Sequence, residues 1–326
     1  MTDERNVNVN IENEEELSEE QLTEQRRIRR EKLRKLQEMG RNPFLIETWN
    51  VETYSKEVKE NFEAWEGKRV SMAGRMMANR HMGKVSFVDV LDKEGKIQAY
   101  VSEDGIGAEE YEIFLTYDIG DIIGFEGEIF KTKRGEISVR VERLVLLSKS
   151  LQVLPNKWHG LKDIDQRYRQ RYVDLIINSE VREMFYKRAA IIKEIKRTLE
   201  EDFGYLEVDT PILTTIAGGA NARPFNTHHN TLDLDMKMRI SNELFLKRCV
   251  VGGLDRVYEM GKMFRNEGMD RNHNPEFTSM ECYAAYTNME FVMEVTETVV
   301  SNAAMKANGS MKINYQGKEF DLTPPW

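Results

Sequence analysis

The chain has 326 residues, enough for two domains with cores of their own. Charged residues make up 32% and the formal net charge is −9, so the overall balance gives no argument for a nucleic-acid partner. Cys249 and Cys282 lie far apart, outside any CxxC or Cys/His pattern, which argues against a disulfide framework or a zinc site. No apolar run approaches transmembrane length and the acidic start is unlike a signal peptide, so the chain reads as cytoplasmic, with no membrane partner.

Residues 1–25 are dominated by glutamate and read as a solvated, disordered tail. Residues 26–66 read as a helical extension. Between Arg26 and Lys35 stand seven basic side chains against the single Glu31, which suits either a solvated helix face or a phosphate-contacting one. Leu33, Leu36 and Met39 form a stripe over a helix at 26–39, which Gly40 and Pro43 stop. A second helical stretch with Phe62 and Trp65 leads to Gly67.

From residue 67 to 148 the pattern changes to short strands, at 70–77, 85–91, 97–101, 119–130 and 137–146. His81-Met82-Gly83, residues 92–95 and Lys133-Arg134-Gly135 supply turns. Five strands in such a span suit a small antiparallel barrel or a β-sandwich. Alternation of Val85 and Phe87 with polar neighbours makes Phe87 look like a barrel-interior residue; an exposed ring there would instead stack on a base.

Residues 149–178 form a connector with Gly160 and the run Arg167-Tyr168-Arg169-Gln170-Arg171-Tyr172, which suits RNA contact or an interdomain hinge. A second domain covers 179–326. Ser179 is a candidate N-cap for a long helix whose apolar face is Val181, Phe185, Ile192, Ile195 and Leu199, closed by Gly204. Leu206 and Val208 begin a strand reaching Pro211. Asn288 opens a helix ending near Gly309, and residues 311–322 look like a hairpin. His228 and His229 are adjacent, so on a strand they point opposite ways, and no third ligand lies nearby in sequence.

The most informative stretch is Phe264-Arg265-Asn266-Glu267-Gly268, then His273-Asn274-Pro275-Glu276-Phe277-Thr278, then Glu281-Cys282-Tyr283. It reads as two strands around a polar loop. Arg265 and Glu267 are expected on one face of the first strand. Phe277, Ser279, Glu281 and Tyr283 share one face of the second. A guanidinium grips phosphate or carboxylate bidentately and an aromatic ring stacks on a base, a combination suited to binding a nucleotide with an amino acid. The bland alternative is an amphipathic hairpin with an Arg265–Glu267 surface pair.

At these residues the chain resembles motif 2 of class II aminoacyl-tRNA synthetases, in the wording of the lysyl-tRNA synthetases. The resemblance runs from about Arg29 to the last residue. It implies an α+β chain, with an N-terminal OB-fold anticodon-binding barrel followed by part of a class II antiparallel-sheet catalytic domain. It makes residues 149–178 a hinge and tilts the basic helix towards RNA. The helix–strand–proline run at 179–211 resembles motif 1 and implies a homodimer. Partners implied are ATP, lysine and tRNA(Lys).

The resemblance also implies residue roles. Arg265 would contact both the ATP α-phosphate and the lysine carboxylate, as the catalytic residue. Glu267 would meet the adenine edge and Phe277 stack on adenine, with His273 and Asn274 in the loop near the phosphates. Lysine would be held by Gly219, Glu243, Arg265, Glu281 and Tyr283. Gly219 lies in Gly218-Gly219-Ala220-Asn221-Ala222-Arg223-Pro224-Phe225, wording close to diagnostic of the lysine-type enzyme. Ser241 departs from the family, which places alanine two residues before the glutamate. In the barrel, Phe87 would stack on an anticodon base, with Gln98 and Glu136 reading base edges.

No segment resembling motif 3 follows Glu281, and the family's acidic magnesium ligands, with the residues that hold the substrate's side-chain amino group, belong to a segment not represented here. The sequence is thus expected to be an N-terminal portion of such an enzyme, with Mg2+ ligands outside it. A tRNA-binding module without catalysis is the alternative. An enzyme lysylating a protein is disfavoured by the barrel, and aspartyl or asparaginyl relatives by the wording around Gly219 and His273.

Overall fold

A computed structural model describes residues 19–155, 161, 163–270 and 272–326. Most of the acidic tail and Gly160 lie outside the described residues. The chain divides after Asn178 into two compact units, each with its own core.

In the first unit, α1 spans Glu19–Glu38. It begins inside the stretch read as tail, where Arg27 grips Glu24 one turn earlier at 2.8 Å and 2.5 Å. Leu36 is buried, whereas Met39, beyond the helix end, is exposed. Gly40, at φ 74°, turns the chain out of the helix. The basic run proves mostly engaged. Arg27 and Arg34 pair with glutamates on their own helix. Arg29 is buried and donates to the carbonyls of Ser150 (3.1 Å) and Gln152 (2.8 Å). Lys32 meets Asp118 at 2.7 Å. These last two bonds fasten α1 to the elements that follow.

Short helices α2 (Ser55–Glu60) and α3 (Phe62–Trp65) precede a five-stranded barrel of β1 (Arg69–Met82), β2 (Val85–Leu91), β3 (Lys96–Ser102), β4 (Ile122–Lys131) and β5 (Ile137–Ser148). The barrel is closed in the order β1-β2-β3-β5-β4, with β3 and β5 parallel and the other pairs antiparallel. Closure decides for the barrel over the sandwich. Alternation fills its interior with Val70, Met72, Met76, Val88, Val90, Ile97, Ala99, Ile123, Phe125 and Val139. β4 starts later than the sequence suggests, because Gly120 at φ 100° and the buried Asp121 form a turn first.

Two helices missing from the sequence reading, α4 (Glu103–Ile106) and α5 (Ala108–Phe114), link β3 to β4. They are short and interrupted by glycines, so no helical period is visible. Ser102 nevertheless caps α4 through the amide of Gly105, and Tyr111, Ile113 and Phe114 enter the core. Helices α6 (Ile164–Arg169) and α7 (Arg171–Ile177) occupy the connector; there Asp174, fully buried, accepts from Arg167 (2.8 Å) and Asn178 (2.7 Å) and pairs with Arg171.

At the base of the barrel Lys149, with no exposed side-chain surface, pairs with Asp118 and with Asp121 (2.8 Å). Burial drives both carboxyls up. Lys149 and Lys32 more than reverse this at Asp118, which lies below its ordinary value, whereas Asp121 stays above.

In the second unit α8 spans Ser179–Arg197, and the helix continues through one π turn at Thr198–Asp202 before Gly204 (φ 68°) ends it. Ser179 is the first helical residue, so the cap position falls on Asn178. Of the predicted face, Val181 and Leu199 are buried, while Phe185 is exposed. The remaining elements are β6 (Leu206–Glu207), β7 (Leu213–Thr214), β8 (Asn226–His229), β9 (Leu234–Met238), α9 (Glu243–Val251), β10 (Arg256–Phe264), β11 (Glu276–Ala284), α10 (Met289–Asn308), β12 (Lys312–Tyr315) and β13 (Lys318–Asp321). Only β10 and β11 form a long antiparallel pair; β6 joins β10 in parallel. One face of this sheet lies on Leu199, Val295 and Val299 through Tyr258, Met280, Cys282 and Ala284. The other face carries the candidate site.

Lys149→Met would leave Asp121 buried with only backbone donors, an uncompensated charge costing about 3–5 kcal/mol. Urea unfolding followed by tryptophan fluorescence measures it; a loss under about 1 kcal/mol would show that the cluster is not a structural anchor.

Candidate nucleotide and amino-acid site

The strand pair β10–β11 has a register in which Glu259 faces Glu281, Gly261 faces Ser279 and Met263 faces Phe277. Period-two alternation puts Glu259, Gly261, Phe277, Ser279, Glu281 and Tyr283 on the face opposite the helices. Two carboxylates directly across a ladder repel. Neutralisation comes from the strap that follows β9, residues 239–242.

Arg239 and Glu259 form an ion pair at 2.6 Å with side-chain exposures of 3% and 4%. Glu259 also accepts from Thr210 Oγ1 (2.5 Å) and Asn242 Nδ2 (3.1 Å), so its carboxylate is filled by the protein. Arg239 lies flat over the backbone of β10 and donates through Nε to the Lys262 carbonyl at 2.9 Å. A Cβ at Gly261 would stand 2.3 Å from Arg239 Nη2, so only glycine fits beneath the guanidinium.

Ser241, next on the strap, is 7% exposed. Its hydroxyl donates to Glu281 Oε1 at 3.1 Å and accepts the backbone N–H of Glu243 at 3.1 Å. Tyr283 donates to the other oxygen of Glu281 at 3.1 Å. Burial, reinforced by the Glu281 charge, pushes the Tyr283 phenol well above its ordinary value, so it stays a donor. Gly219, at φ 85°, sits against the same group: a Cβ there would lie 2.8 Å from Ser241 Oγ and 3.0 Å from Glu243 Cβ. The Ser241 hydroxyl thus bonds the Glu281 carboxylate and the Glu243 amide with Gly219 packed against it, and Tyr283 joins through the far oxygen of Glu281. Lys247, one turn along α9, covers Glu243 at 2.5 Å and lies 5.5 Å from the Tyr283 ring centre.

Arg265 and Glu267 correct the sequence reading. β10 ends at Phe264, and the Glu267 N–H turns back onto the Arg265 carbonyl at 2.9 Å, so these residues lie in a loop and share no strand face. Among the described residues they form no ion pair. The Arg265 guanidinium instead stands over the Phe277 ring at 5.1 Å, with its Nε buried and without a hydrogen-bond partner. The next amide, of Asn266, donates to the Arg223 carbonyl at 2.7 Å and ties this loop to the glycine-rich one. Glu267, His273 and Asn274 are exposed. The Asp270 carboxyl, bonded to the amide of Asn272 and to the His273 ring, lies below its ordinary value.

His228 pairs with Asp233 (3.3 Å) and Asp235 (2.9 Å) on the surface. Among the described residues no His, Cys, Asp and Glu side chains gather in threes that could hold a metal ion.

On the barrel, Phe87 faces outward, because Ser86, Val88 and Val90 take the interior. The polar member of the alternation points inward since Ser86 meets the hydroxyl of Tyr111 at 3.2 Å and His81 Nδ1 at 3.1 Å. Phe87 begins a row of half-buried rings, 5.4 Å from Tyr100, which lies 5.8 Å from Phe130. Arg140 covers Phe130 at 4.8 Å. Gln98 accepts from Ser138 at 3.0 Å, and Glu136 is exposed, with Lys59 at 3.3 Å.

Residues 163–326 match the family described as tRNA synthetases class II (D, K and N), and residues 70–147 match the OB-fold nucleic acid binding domain. The chain belongs to the class II tRNA synthetases of that group. A protein named lysine–tRNA ligase from Thermoanaerobacter sp. (strain X514) is 59% identical over 94% of this chain and 61% of its own length. Lysine–tRNA ligases of Clostridium perfringens (strain 13 / Type A) and Syntrophomonas wolfei are 53% and 50% identical, each over 95% of this chain and 62% of theirs. The chain thus spans about three fifths of the length of these relatives.

Sequence reasoning missed Arg239, Glu259 and Asn242, which belong to no local pattern. Ser241 carried a signal, its departure from the family's alanine. Gly261→Ala is expected to displace Arg239 and cost about 1–3 kcal/mol by overpacking. Thermal unfolding of the variant checks this, and an unchanged midpoint would contradict the fit of arginine over glycine.

Proposed function

We propose that this chain carries the lysine-, ATP- and tRNA-binding parts of a lysine–tRNA ligase, working as a cytoplasmic homodimer. The observation that carries the reading is the cluster in which Ser241 bonds the Glu281 carboxylate and the Glu243 amide, Gly219 packs against Ser241, and Tyr283 bonds the far oxygen of Glu281. An acidic, pre-bonded pocket suits a cationic amino acid. The Arg265–Phe277 pair on the same strand pair suits a nucleotide. The names of the relatives support the choice of lysine. Dimerisation is supported by the likeness to motif 1 and by exposed Met184, Tyr186 and Leu206 along it.

In the reaction, a lysine carboxylate oxygen attacks the ATP α-phosphorus and pyrophosphate leaves, forming lysyl-adenylate. The terminal hydroxyl of tRNA then takes the lysyl group and releases AMP. Two anions must meet in the first step, so the protein's task is to neutralise and align them. Arg265 bridges the carboxylate and the α-phosphate. Phe277 carries the adenine ring, Glu267 meets its edge, and His273 and Asn274 line the phosphate side. Glu243, Glu281 and Tyr283 orient lysine, with the Gly219 backbone closing over it. The Phe87–Tyr100–Phe130 row, with Gln98 and Glu136, takes the anticodon.

Lysine-dependent ATP–pyrophosphate exchange tests the reading in the full-length gene product. Exchange is expected, and Arg265→Ala should lower it by about 100-fold or more, as loss of a transition-state charge donor does. Lysine-independent or absent exchange would refute ligase activity.

A non-catalytic tRNA-binding module is the second reading, favoured by the closed barrel with its outward aromatic row. Both readings require tRNA binding that weakens with salt and falls about tenfold in Phe87→Ala, within the range of one lost base stack. Filter binding at two salt concentrations measures it; unchanged affinity would remove Phe87 from the interface.

A further inference from the structure

We propose that Ser241 is a positioning residue that fixes the substrate-binding carboxylate of Glu281 against the backbone amide of Glu243 at the start of α9, an inference resting on the lysine-pocket reading above. Its hydroxyl has one hydrogen to give and lone pairs to accept with. The Glu281 carboxylate only accepts, so the hydrogen goes there, while the Glu243 N–H donates to the same oxygen. One atom therefore links the last turn of the strap to β11. The link is stiff because both neighbours of Ser241 are locked. Asn242, fully buried, bonds Glu259, and Ile240 is 2% exposed behind Arg239 and its ion pair.

The consequence for Glu281 is a carboxylate with one donor on each oxygen, Ser241 on one and Tyr283 on the other. Its rotamer is fixed before any ligand arrives, and the remaining lone pairs are left for a cationic amino group. Pre-fixing of this kind raises affinity by removing the ordering cost of binding. Gly219 closes the arrangement from the third side, since any side chain there would strike Ser241 Oγ.

The competing explanation is that Ser241 merely caps α9, whose N-cap residue Asn242 makes no side-chain bond to the helix. A cap needs only the oxygen lone pair and would act on stability alone. Positioning needs the O–H bond to Glu281 and acts on lysine.

The experiment is isothermal titration of the 326-residue chain, its Ser241→Ala and Tyr283→Phe variants and the double variant, with L-lysine and separately with ATP. Ser241→Ala is expected to weaken lysine binding about tenfold, the effect of one hydrogen bond to a charged group, with ATP affinity changed less than about twofold. The double variant should weaken lysine by a factor different from the product of the two single effects, because both donors act through one carboxylate. Unchanged lysine affinity in Ser241→Ala, or equal loss for lysine and ATP, would overturn the proposal while leaving the pocket reading intact. Strictly multiplicative effects would also overturn it. No lysine binding by the wild-type chain would refute the pocket reading, and the proposal with it.

Discussion

The buried Arg239–Glu259 pair is the constraint on which the site face depends. Arg239 joins its own strap to two other stretches of backbone: its amide donates to the Ile212 carbonyl (2.9 Å), its carbonyl accepts from Phe264 (3.0 Å), and its guanidinium reaches the carbonyls of Thr210 (3.1 Å) and Lys262 (2.9 Å). A pair of this kind contributes little net stability, since desolvating two ions offsets their attraction. What it supplies is register. An apolar pair of the same volume would tolerate a shift of the strap along β10; a carboxylate with three named donors does not. Ser241 and Asn242 inherit their positions from that register, and Glu243 begins α9 from it.

The same logic operates in the first unit with different parts. Lys149 and Asp121, both buried, form a triad with the partly buried Asp118, and Lys32 extends it to α1. The run of seven basic residues, which composition alone offers to RNA, spends two of them on this docking and two on intrahelical pairs. Among the described residues Arg26, Arg30 and Lys35 form no ion pair. A dense basic run is thus a poor measure of electrostatic footprint until its internal partners are known.

Several features were legible because a short stretch of sequence contains their cause. The strands of the barrel alternate, Gly40 and Gly309 follow their helices, Asn288 caps α10, and the residues of the β11 face lie two apart. Other features depend on distant partners and were not. Alternation through Val85–Leu91 gives the period but not the phase, which the inward Ser86 settles by finding Tyr111. Arg265 and Glu267 looked like a strand pair because nothing local announces that β10 stops at Phe264. The stop comes from the Asn266 amide reaching Arg223, over forty residues earlier. The Arg239–Glu259 pair is likewise invisible, twenty residues apart with no periodic relation.

The resting arrangement of Arg265 bears on how a phosphate ligand would be taken up. Its guanidinium stands on the Phe277 ring, a contact of order 0.5–1 kcal/mol at a partly exposed site. Charge-assisted bonds to phosphate are stronger and would use the Nε–H that now lacks a partner. Ring and guanidinium are thus held beside each other by a weak contact, which under the proposed function a nucleotide would replace with better ones, adenine on the ring and phosphate on the fork. The proposed lysine side would be the reverse, with Glu281 already bonded at both oxygens. On this reading the two halves of the site are built on opposite principles: the nucleotide half exchanges contacts on binding, and the amino-acid half is fixed beforehand. Under the proposed function the rigid half would contribute to discrimination by charge, because a carboxylate that cannot move penalises a ligand whose ammonium falls short of it.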